Sequence, residues 1–278
     1  MNIDRVVVTT FPGYFFSTAK CLQSIQQHVP GAGVDIIIDD FGSATWTDYV
    51  LDCQTYLAEH FADLDLQFYQ FSQITDVDRA RAGGWFRQQL IKLHLDLILP
   101  TDCWLVIDAD VELKAPPSYN TVPVLPHPPD PIGIGNRLYV KHMFNTDIPW
   151  LTAETENKFL CASGIPIRYI TRDLLSGLRT RVEQVHNKNF LDLHLDLIAQ
   201  QQLVAWDSQA EKMIMSEFQL IEYYRNRCYW QALPIQHGAA DFAHTSIKDW
   251  NLDQTHFDTV AVPDRYWQKL LAFAQTHQ

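Results

Sequence analysis

The sequence lacks several features that would assign it to a well-defined class of protein. Its five cysteines are widely spaced, and no C-x-x-C pair occurs, which argues against a disulfide framework and against a cysteine zinc site. No apolar stretch approaches the ~20 residues that a membrane-spanning helix needs. The first residues run into a strand-like segment without the apolar core of a signal peptide. We therefore expect a soluble, cytoplasmic protein with free thiols and no transmembrane segment.

Basic residues are also in short supply. The chain has 21 Lys and Arg against 33 Asp and Glu, which gives a formal net charge of −12. A protein this acidic lacks the positive field that nonspecific binding to nucleic acid needs, so we expect no nucleic-acid partner. A small basic pocket for a phosphate-bearing substrate remains compatible with this charge. Apolar residues make up 47% of the chain, enough for a sizeable core.

The first part of the chain alternates between strand and helix patterns. The predicted strands and helices are, in order, Val6–Thr10, Ser17–His28, Val34–Ile38, Trp46–Phe61, Leu66–Phe71, Gly84–Leu99 and Cys103–Ile107. This alternation favours an α/β fold with a mostly parallel central sheet flanked by helices.

The second half of the chain is less regular. Residues 115–131 are rich in proline, which predicts a surface loop. Helical patterns return at Thr171–Val185, Phe190–Gln202, Ser216–Arg225 and Pro263–Thr276. Because no linker is evident, we expect a single domain over residues 1–278.

Two aspartates follow the last predicted strand of the first half. Asp108 and Asp110 stand at its C-terminal end, where open α/β sheets place their ligand crevices. Their hard oxygen ligands suit Mg²⁺ or Mn²⁺, and such a metal would stabilise charge on a diphosphate leaving group. Two alternatives compete: solvated acids at a strand end, and the Asp-x-Asp strand of haloacid-dehalogenase-type phosphatases. The second expects Thr or Val two residues after the second Asp, where this chain has Glu112.

The segment Gly83–Leu93, followed by Trp104–Asp110, resembles the helix and metal-binding D-x-D strand of GT-A fold glycosyltransferases. It is similar more closely to a group of bacterial GT-A-like proteins, whose later pattern matches Ser163-Gly164-Ile165 and Ser216-Glu217-Phe218. The resemblance spans about residues 6–250. It implies a metal-dependent transferase that moves a sugar from a nucleoside-diphosphate sugar, UDP-linked, to a glycan or lipid-linked acceptor. Residues 1–114 would then bind the nucleotide sugar and residues 115–278 would face the acceptor.

The resemblance also implies a set of donor contacts. Thr9 and Thr10 end the first strand and Asp39 follows the second, where GT-A folds hold the base and ribose. Basic and amide side chains on the Gly84–Leu99 helix would contact the donor phosphates, and a small-residue turn would let the backbone approach the sugar. These residues are Arg87, Gln88 and Lys92 on the helix and Ser163 and Gly164 in the turn. The alternatives are helix caps, a solvated helix face and a turn without a ligand.

For catalysis, Glu217 is the candidate general base of an inverting transferase. The alternative is that Ser216 and Glu217 form a helix N-cap and a first-turn acid. The resemblance points to His244 as a third metal ligand, with His237 as its rival and a structural histidine as the alternative for both. The stereochemistry stays open, as does peripheral contact with a membrane. Two other functions remain: a metal-dependent phosphohydrolase or nucleotidyltransferase, and a catalytically inactive glycan-binding GT-A-like domain.

Overall fold

The computed structural model describes residues 3–10, 14–40, 44–71, 84–117, 122–124, 131–145, 167–204, 212–227, 235–237 and 244–246. Its helices are α1 Phe15–His28, α2 Ala44–His60, α3 Gly84–Lys92, α4 Leu95–Ile98, α5 Pro131–Phe144, α6 Arg172–His186, α7 Phe190–Ala199 and α8 Glu217–Arg227. Its strands are β1 Arg5–Thr10, β2 Gly33–Ile38, β3 Leu66–Gln70, β4 Cys103–Asp108, β5 Val111–Leu113, β6 Val122–Val124, β7 Ile167–Thr171, β8 Leu203–Val204, β9 Met213–Ile214, β10 Ile235–His237 and β11 His244–Ser246.

The predicted fold class is confirmed. The main sheet has the strand order β3-β2-β1-β4-β7, and β1 pairs in parallel with β2, as β2 does with β3. Every residue of β1 and β2 is buried, which explains the apolar runs at residues 6–8 and 36–38 in place of an alternating pattern. The charged residues of the two strands, Arg5 and Asp35, form an ion pair at 2.6 Å. Helix α1 packs against β1, and α6 packs against β7. The remaining described strands form pairs: β6 with β10 and β8 with β9 in parallel, and β5 with β11 antiparallel.

The predicted helix Gly84–Leu99 is wrong in one respect, because the structure ends α3 at Lys92 and begins α4 at Leu95. The imidazole Nδ1 of His94 lies 2.6 Å from the carbonyl oxygen of Leu90, the acceptor that its own N–H would use in a continuous helix. The N–H of His94 instead donates to Ile91, one residue closer. A side chain therefore competes with the helical ladder and interrupts it.

The proline-rich segment also ends earlier than predicted. Pro131 is the first residue of α5, a helix that the sequence patterns did not identify. Proline is well suited to the first turn of a helix, since the N–H that it lacks would have no partner there. The predicted helix Pro263–Thr276 lies outside the described residues.

The chain divides into two compact units that interleave along the sequence. The β1–β3 unit comprises residues 5–75, 107–117 and 242–278, and the α5–α8 unit comprises residues 1–4, 76–106 and 118–241. The expectation of a single domain stays a prediction. Within the part of the chain that the structure describes, no helix combines the length and the apolar composition required to cross a bilayer.

Candidate functional site

The acidic pair lies where β4 ends: Asp108 is the last residue of β4, and Asp110 lies in the turn before β5. The strand is buried from Trp104 to Ile107, so the apolar core fixes the point at which the chain leaves the sheet. Ala109 is buried, whereas both aspartates are half-buried. Both carboxylates thus follow a buried apolar strand and keep partial access to solvent.

Helix α1 holds this turn in place. The Sγ atom of Cys21 lies 3.8 Å from the carbonyl oxygen of Asp108, and the Oγ atom of Ser24 accepts a 3.0 Å hydrogen bond from the N–H of Leu113. Burial raises the pKa of the Cys21 thiol, and the charges of Asp110 and Asp108 raise it further. Helix α1 therefore contacts the chain on both sides of Asp110, at Asp108 and at Leu113.

His244 belongs to the same unit as the acidic pair. Strand β11 runs antiparallel to β5, with His244 opposite Leu113 and Ser246 opposite Val111. The backbone of His244 is thus tied to the strand that begins directly after Asp110. Its rival, His237, pairs with Val124 in the α5–α8 unit. Among the described side chains no group of three or more His, Cys, Asp or Glu is arranged to hold a metal, and the imidazole of His244 is not one of those side chains.

The predicted nucleotide contacts lie at the carboxyl ends of β1 and β2, also in the β1–β3 unit. The N–H of Asp39 donates to the carbonyl oxygen of Thr10 over 2.8 Å, so these two predicted contacts are neighbours. The Thr10 hydroxyl is 2.6 Å from that of Thr18, which in turn donates to the carbonyl oxygen of Tyr14. Thr9, Thr10 and Asp39 are all buried.

The predicted polar face of α3 is buried, and the alternative of a solvated face does not hold there. Arg87 and Lys92 are buried and Gln88 is half-buried. The Nζ atom of Lys92 donates a 2.9 Å hydrogen bond to Oε1 of Glu217, the first residue of α8. The side-chain amide of Gln89 faces the same carboxylate, and because only its nitrogen can donate, we assign the nitrogen to that side, where it donates to both carboxylate oxygens. Two residues to which the sequence assigned separate roles therefore form one buried ion pair.

Ser216 does cap α8, because its Oγ atom accepts a hydrogen bond from the N–H of Gln219. Because Ser216 caps the helix, the Glu217 side chain contacts Lys92 and Gln89 and not the helix terminus. Ser216 therefore caps α8, as the alternative predicted, while Glu217 pairs with residues of α3. The predicted turn residues Ser163 and Gly164 lie outside the described residues.

The structure adds polar residues that the sequence patterns did not identify. The Tyr139 hydroxyl is 2.8 Å from Nε2 of His194, whose Nδ1 is 2.7 Å from the carbonyl oxygen of Phe190. Burial raises the pKa of Tyr139, and the charge of Glu217 adds to this effect. Arg225 donates to Glu222 over 2.8 Å inside the same unit. The sequence patterns did not mark these residues as buried, because polar residues on a helix are equally compatible with an exposed position.

Comparisons with known proteins give one family and several solved structures. Residues 29–193 match the family described as "Family of unknown function (DUF6492)". The WbbM bifunctional glycosyltransferase in its apo form is 15% identical, with a TM-score of 0.41 over 77% of this chain and 39% of that chain. The galactosyltransferase LgtC, in complex with donor and acceptor sugar analogues, is 10% identical, with a TM-score of 0.39 over 96% of this chain and 95% of that one.

A third similar structure is mouse xyloside xylosyltransferase 1 in its apo form. It is 10% identical, with a TM-score of 0.41 over 88% of this chain and 98% of that chain. This chain spans less than half the length of the WbbM protein, at 39% of it. No curated protein matches the sequence.

Proposed function

The chain belongs to the DUF6492 family, a family of unknown function, and we propose that it is a metal-dependent glycosyltransferase that uses a nucleoside-diphosphate sugar, UDP-linked, as its donor. The observation that carries the proposal is the end of β4, where two half-buried carboxylates, Asp108 and Asp110, follow a buried apolar strand. The D-x-D resemblance of the sequence supports the same reading. The acceptor is a glycan or a lipid-linked sugar.

The residues present suit a hard divalent cation. Asp108 and Asp110 supply carboxylate oxygens, which Mg²⁺ and Mn²⁺ prefer, and an imidazole from His244 would favour Mn²⁺. When bound, the metal would neutralise charge on the donor diphosphate as it leaves. Thr9, Thr10 and Asp39 would contact the base and ribose, the carboxylate of Asp39 accepting hydrogen bonds from N–H or O–H groups. Arg87 and Gln88 would contact the phosphates, Arg87 by a bidentate interaction.

Glu217 is the proposed general base. In an inverting transfer it would accept the proton of the acceptor hydroxyl as that oxygen attacks the anomeric carbon. The bond from the anomeric carbon to the diphosphate oxygen breaks, and its electron pair leaves with the nucleoside diphosphate. A retaining transfer would not need this base.

The test is the identity of the product. The purified protein is incubated with UDP-glucose, UDP-galactose and UDP-N-acetylglucosamine, each with and without Mn²⁺, and the phosphorus-containing products are identified by ³¹P NMR. We expect UDP to appear only with Mn²⁺, from slow transfer to water. Release of UMP with sugar phosphate, or of inorganic phosphate or pyrophosphate, would instead indicate a phosphohydrolase or nucleotidyltransferase. No product, together with no thermal shift for any of these donors, would indicate an inactive binding domain.

A further inference from the structure

The ion pair of Lys92 and Glu217 is almost completely buried. Their side chains are 2% and 6% exposed, and Nζ lies 2.9 Å from Oε1. A carboxylate taken out of water needs a counter-charge and hydrogen bonds, and breaking such a pair leaves an uncompensated buried charge. Lys92 supplies the charge and Gln89 supplies further hydrogen bonds.

The ammonium of Lys92 is also held from a second direction. It lies 4.7 Å from the ring centroid of Phe218, the residue after Glu217, and the guanidinium of Arg168 lies 4.9 Å from the same centroid. Cations are attracted to the face of an aromatic ring. Two consecutive residues of α8 therefore fix Lys92, and both bind it through its charged end. This end is the group that a contact to donor phosphates would have to use.

The two oxygens of the Glu217 carboxylate differ in their described partners. Oε1 accepts from Lys92 and, with the Gln89 amide turned so that its nitrogen faces the carboxylate, also from Gln89, whereas Oε2 accepts from Gln89. Each carboxylate oxygen can accept about two hydrogen bonds. Counting partners among the described residues alone, Oε2 can accept one more hydrogen bond, which a hydroxyl can donate.

We infer that Lys92 and Gln89 are positioning residues, which orient the Glu217 carboxylate so that Oε2 takes the proton of the acceptor hydroxyl. The inference rests on the proposed function and reassigns Lys92, which the sequence placed against the donor phosphates. Lys92 and Gln89 exchange no proton and form no bond in this step. The hydroxyl proton passes to Oε2, the acceptor oxygen bonds to the anomeric carbon, and the nucleoside diphosphate leaves with the electron pair.

The test is a double-mutant cycle of Lys92→Met, Glu217→Gln and both together, with two readouts. The first is kcat for Mn²⁺-dependent release of UDP from whichever UDP-sugar the wild type consumes, and the second is the Kd of UDP with Mn²⁺ by calorimetry. Misplacement of a reacting group by about 1 Å can cost about 100-fold, so we expect a loss of that order in kcat for Lys92→Met. The Kd of UDP should change less than about twofold. In the Glu217→Gln background, Lys92→Met should cost less than about twofold, because coupled residues are not additive.

Two results would overturn the inference. Additive losses in kcat would mean that Lys92 does not act through Glu217, and a Kd for UDP weakened about tenfold or more would place Lys92 on the donor phosphates. The matched control is Arg179→Met, which breaks another buried pair of the same unit, that of Arg179 with Asp96. It should destabilise the protein and leave kcat within about twofold of wild type.

A second variant covers the case in which Lys92→Met does not fold. Gln89→Leu removes hydrogen bonds from the carboxylate without removing a charge, and it should lower kcat several-fold with the Kd of UDP unchanged. An unchanged kcat would count against positioning. A wild type that neither binds UDP with Mn²⁺ nor releases it refutes the proposed function, and the inference with it. A wild type that releases UDP with additive variant losses refutes the inference alone.

Discussion

At the scale of single residues, the buried imidazole of His194 links the stability of the protein to pH. His194 is fully buried between the Tyr139 hydroxyl and the carbonyl oxygen of Phe190. Burial lowers its pKa to about 4, against the opposing effect of its hydrogen bond to Phe190. The nearby His94, His186 and His142 lower it further. A neutral ring that donates through Nδ1 and accepts through Nε2 satisfies both neighbours, and a second proton would leave the Tyr139 hydroxyl without its acceptor.

We predict that acid destabilises the protein through His194. Its folded pKa, about 4, is below its unfolded value of 6.5, so the unfolded state binds more protons between these limits. This contribution is complete above pH 6.5 and is lost as the pH falls toward 4; it is worth roughly 3 kcal/mol. Urea unfolding from pH 7 to pH 4.5 should show a smaller loss of stability for His194→Gln than for wild type.

Tyr139→Phe is the control for this measurement. It removes the hydrogen bond to His194 but leaves the imidazole buried, so it should lower stability at neutral pH and keep most of the wild-type dependence on pH, because burial is the largest cause of the lowered pKa. An identical dependence in wild type and His194→Gln would contradict the assignment.

The residues of the site show which side-chain contacts could be predicted from the sequence and which could not. Lys92 and Glu217 were both selected from the sequence as functional residues. Their pairing was not predicted, because 125 positions separate them and neither periodicity nor spacing reports on tertiary neighbours. The contact between Thr10 and Asp39 is easier to foresee than that of Lys92 with Glu217, because the carboxyl ends of neighbouring parallel strands meet at one edge of a sheet.

At the scale of elements, helix α5 packs tightly against the segment around β9. A Cβ added at Gly135 would lie 2.6 Å from Cγ1 of Ile214 and 2.9 Å from the carbonyl oxygen of Lys212. The second contact is with backbone, which cannot move aside without shifting the segment. Glycine is therefore required here for close approach rather than for an unusual backbone angle.

We predict that Gly135→Ala destabilises the protein by about 1–3 kcal/mol, the usual cost of overpacking a tight contact. Gly177→Ala is the matched control, also on a helix, where the new Cβ would meet the terminal hydroxyl of Tyr224 at 2.6 Å. A side-chain end can move, and alanine favours the helix, so this variant should cost less. Equal losses in urea unfolding would contradict the account of α5.

Elements with strong periodicity were predicted well, and those shaped by tertiary contacts were not. Strands β1, β2 and β4 were predicted from apolar runs, and α1 was predicted from the proline and glycine residues on either side of it. Helix α5 was missed because its proline-rich approach suggested a loop. The break after α3 was missed because a histidine within an apolar stripe gives no sign that its ring will take a helical carbonyl.

At the scale of the whole molecule, the sequence predicted the fold class but not the division into two units. Each unit is assembled from separated segments: residues 107–117 belong with the N-terminal strands, although they follow residues 76–106 of the other unit directly. Such interleaving depends on long-range packing and leaves no linker in the sequence.

The central claim is that Asp108 and Asp110 together hold a divalent cation against a nucleoside diphosphate. It is tested most directly by calorimetric titration of UDP, with and without Mn²⁺, into wild type, the Asp108→Asn/Asp110→Asn double variant and Glu112→Gln. The control carboxylate, Glu112, lies two residues beyond Asp110 and pairs with Lys114 at 2.5 Å. We predict that wild type and Glu112→Gln bind UDP only with Mn²⁺. In the double variant, the affinity for UDP with Mn²⁺ should fall by more than the ~10–100-fold that mutation of the outer-shell partners of metal ligands costs. An affinity for UDP that is the same in the double variant as in wild type, or the same with and without Mn²⁺, would contradict the claim.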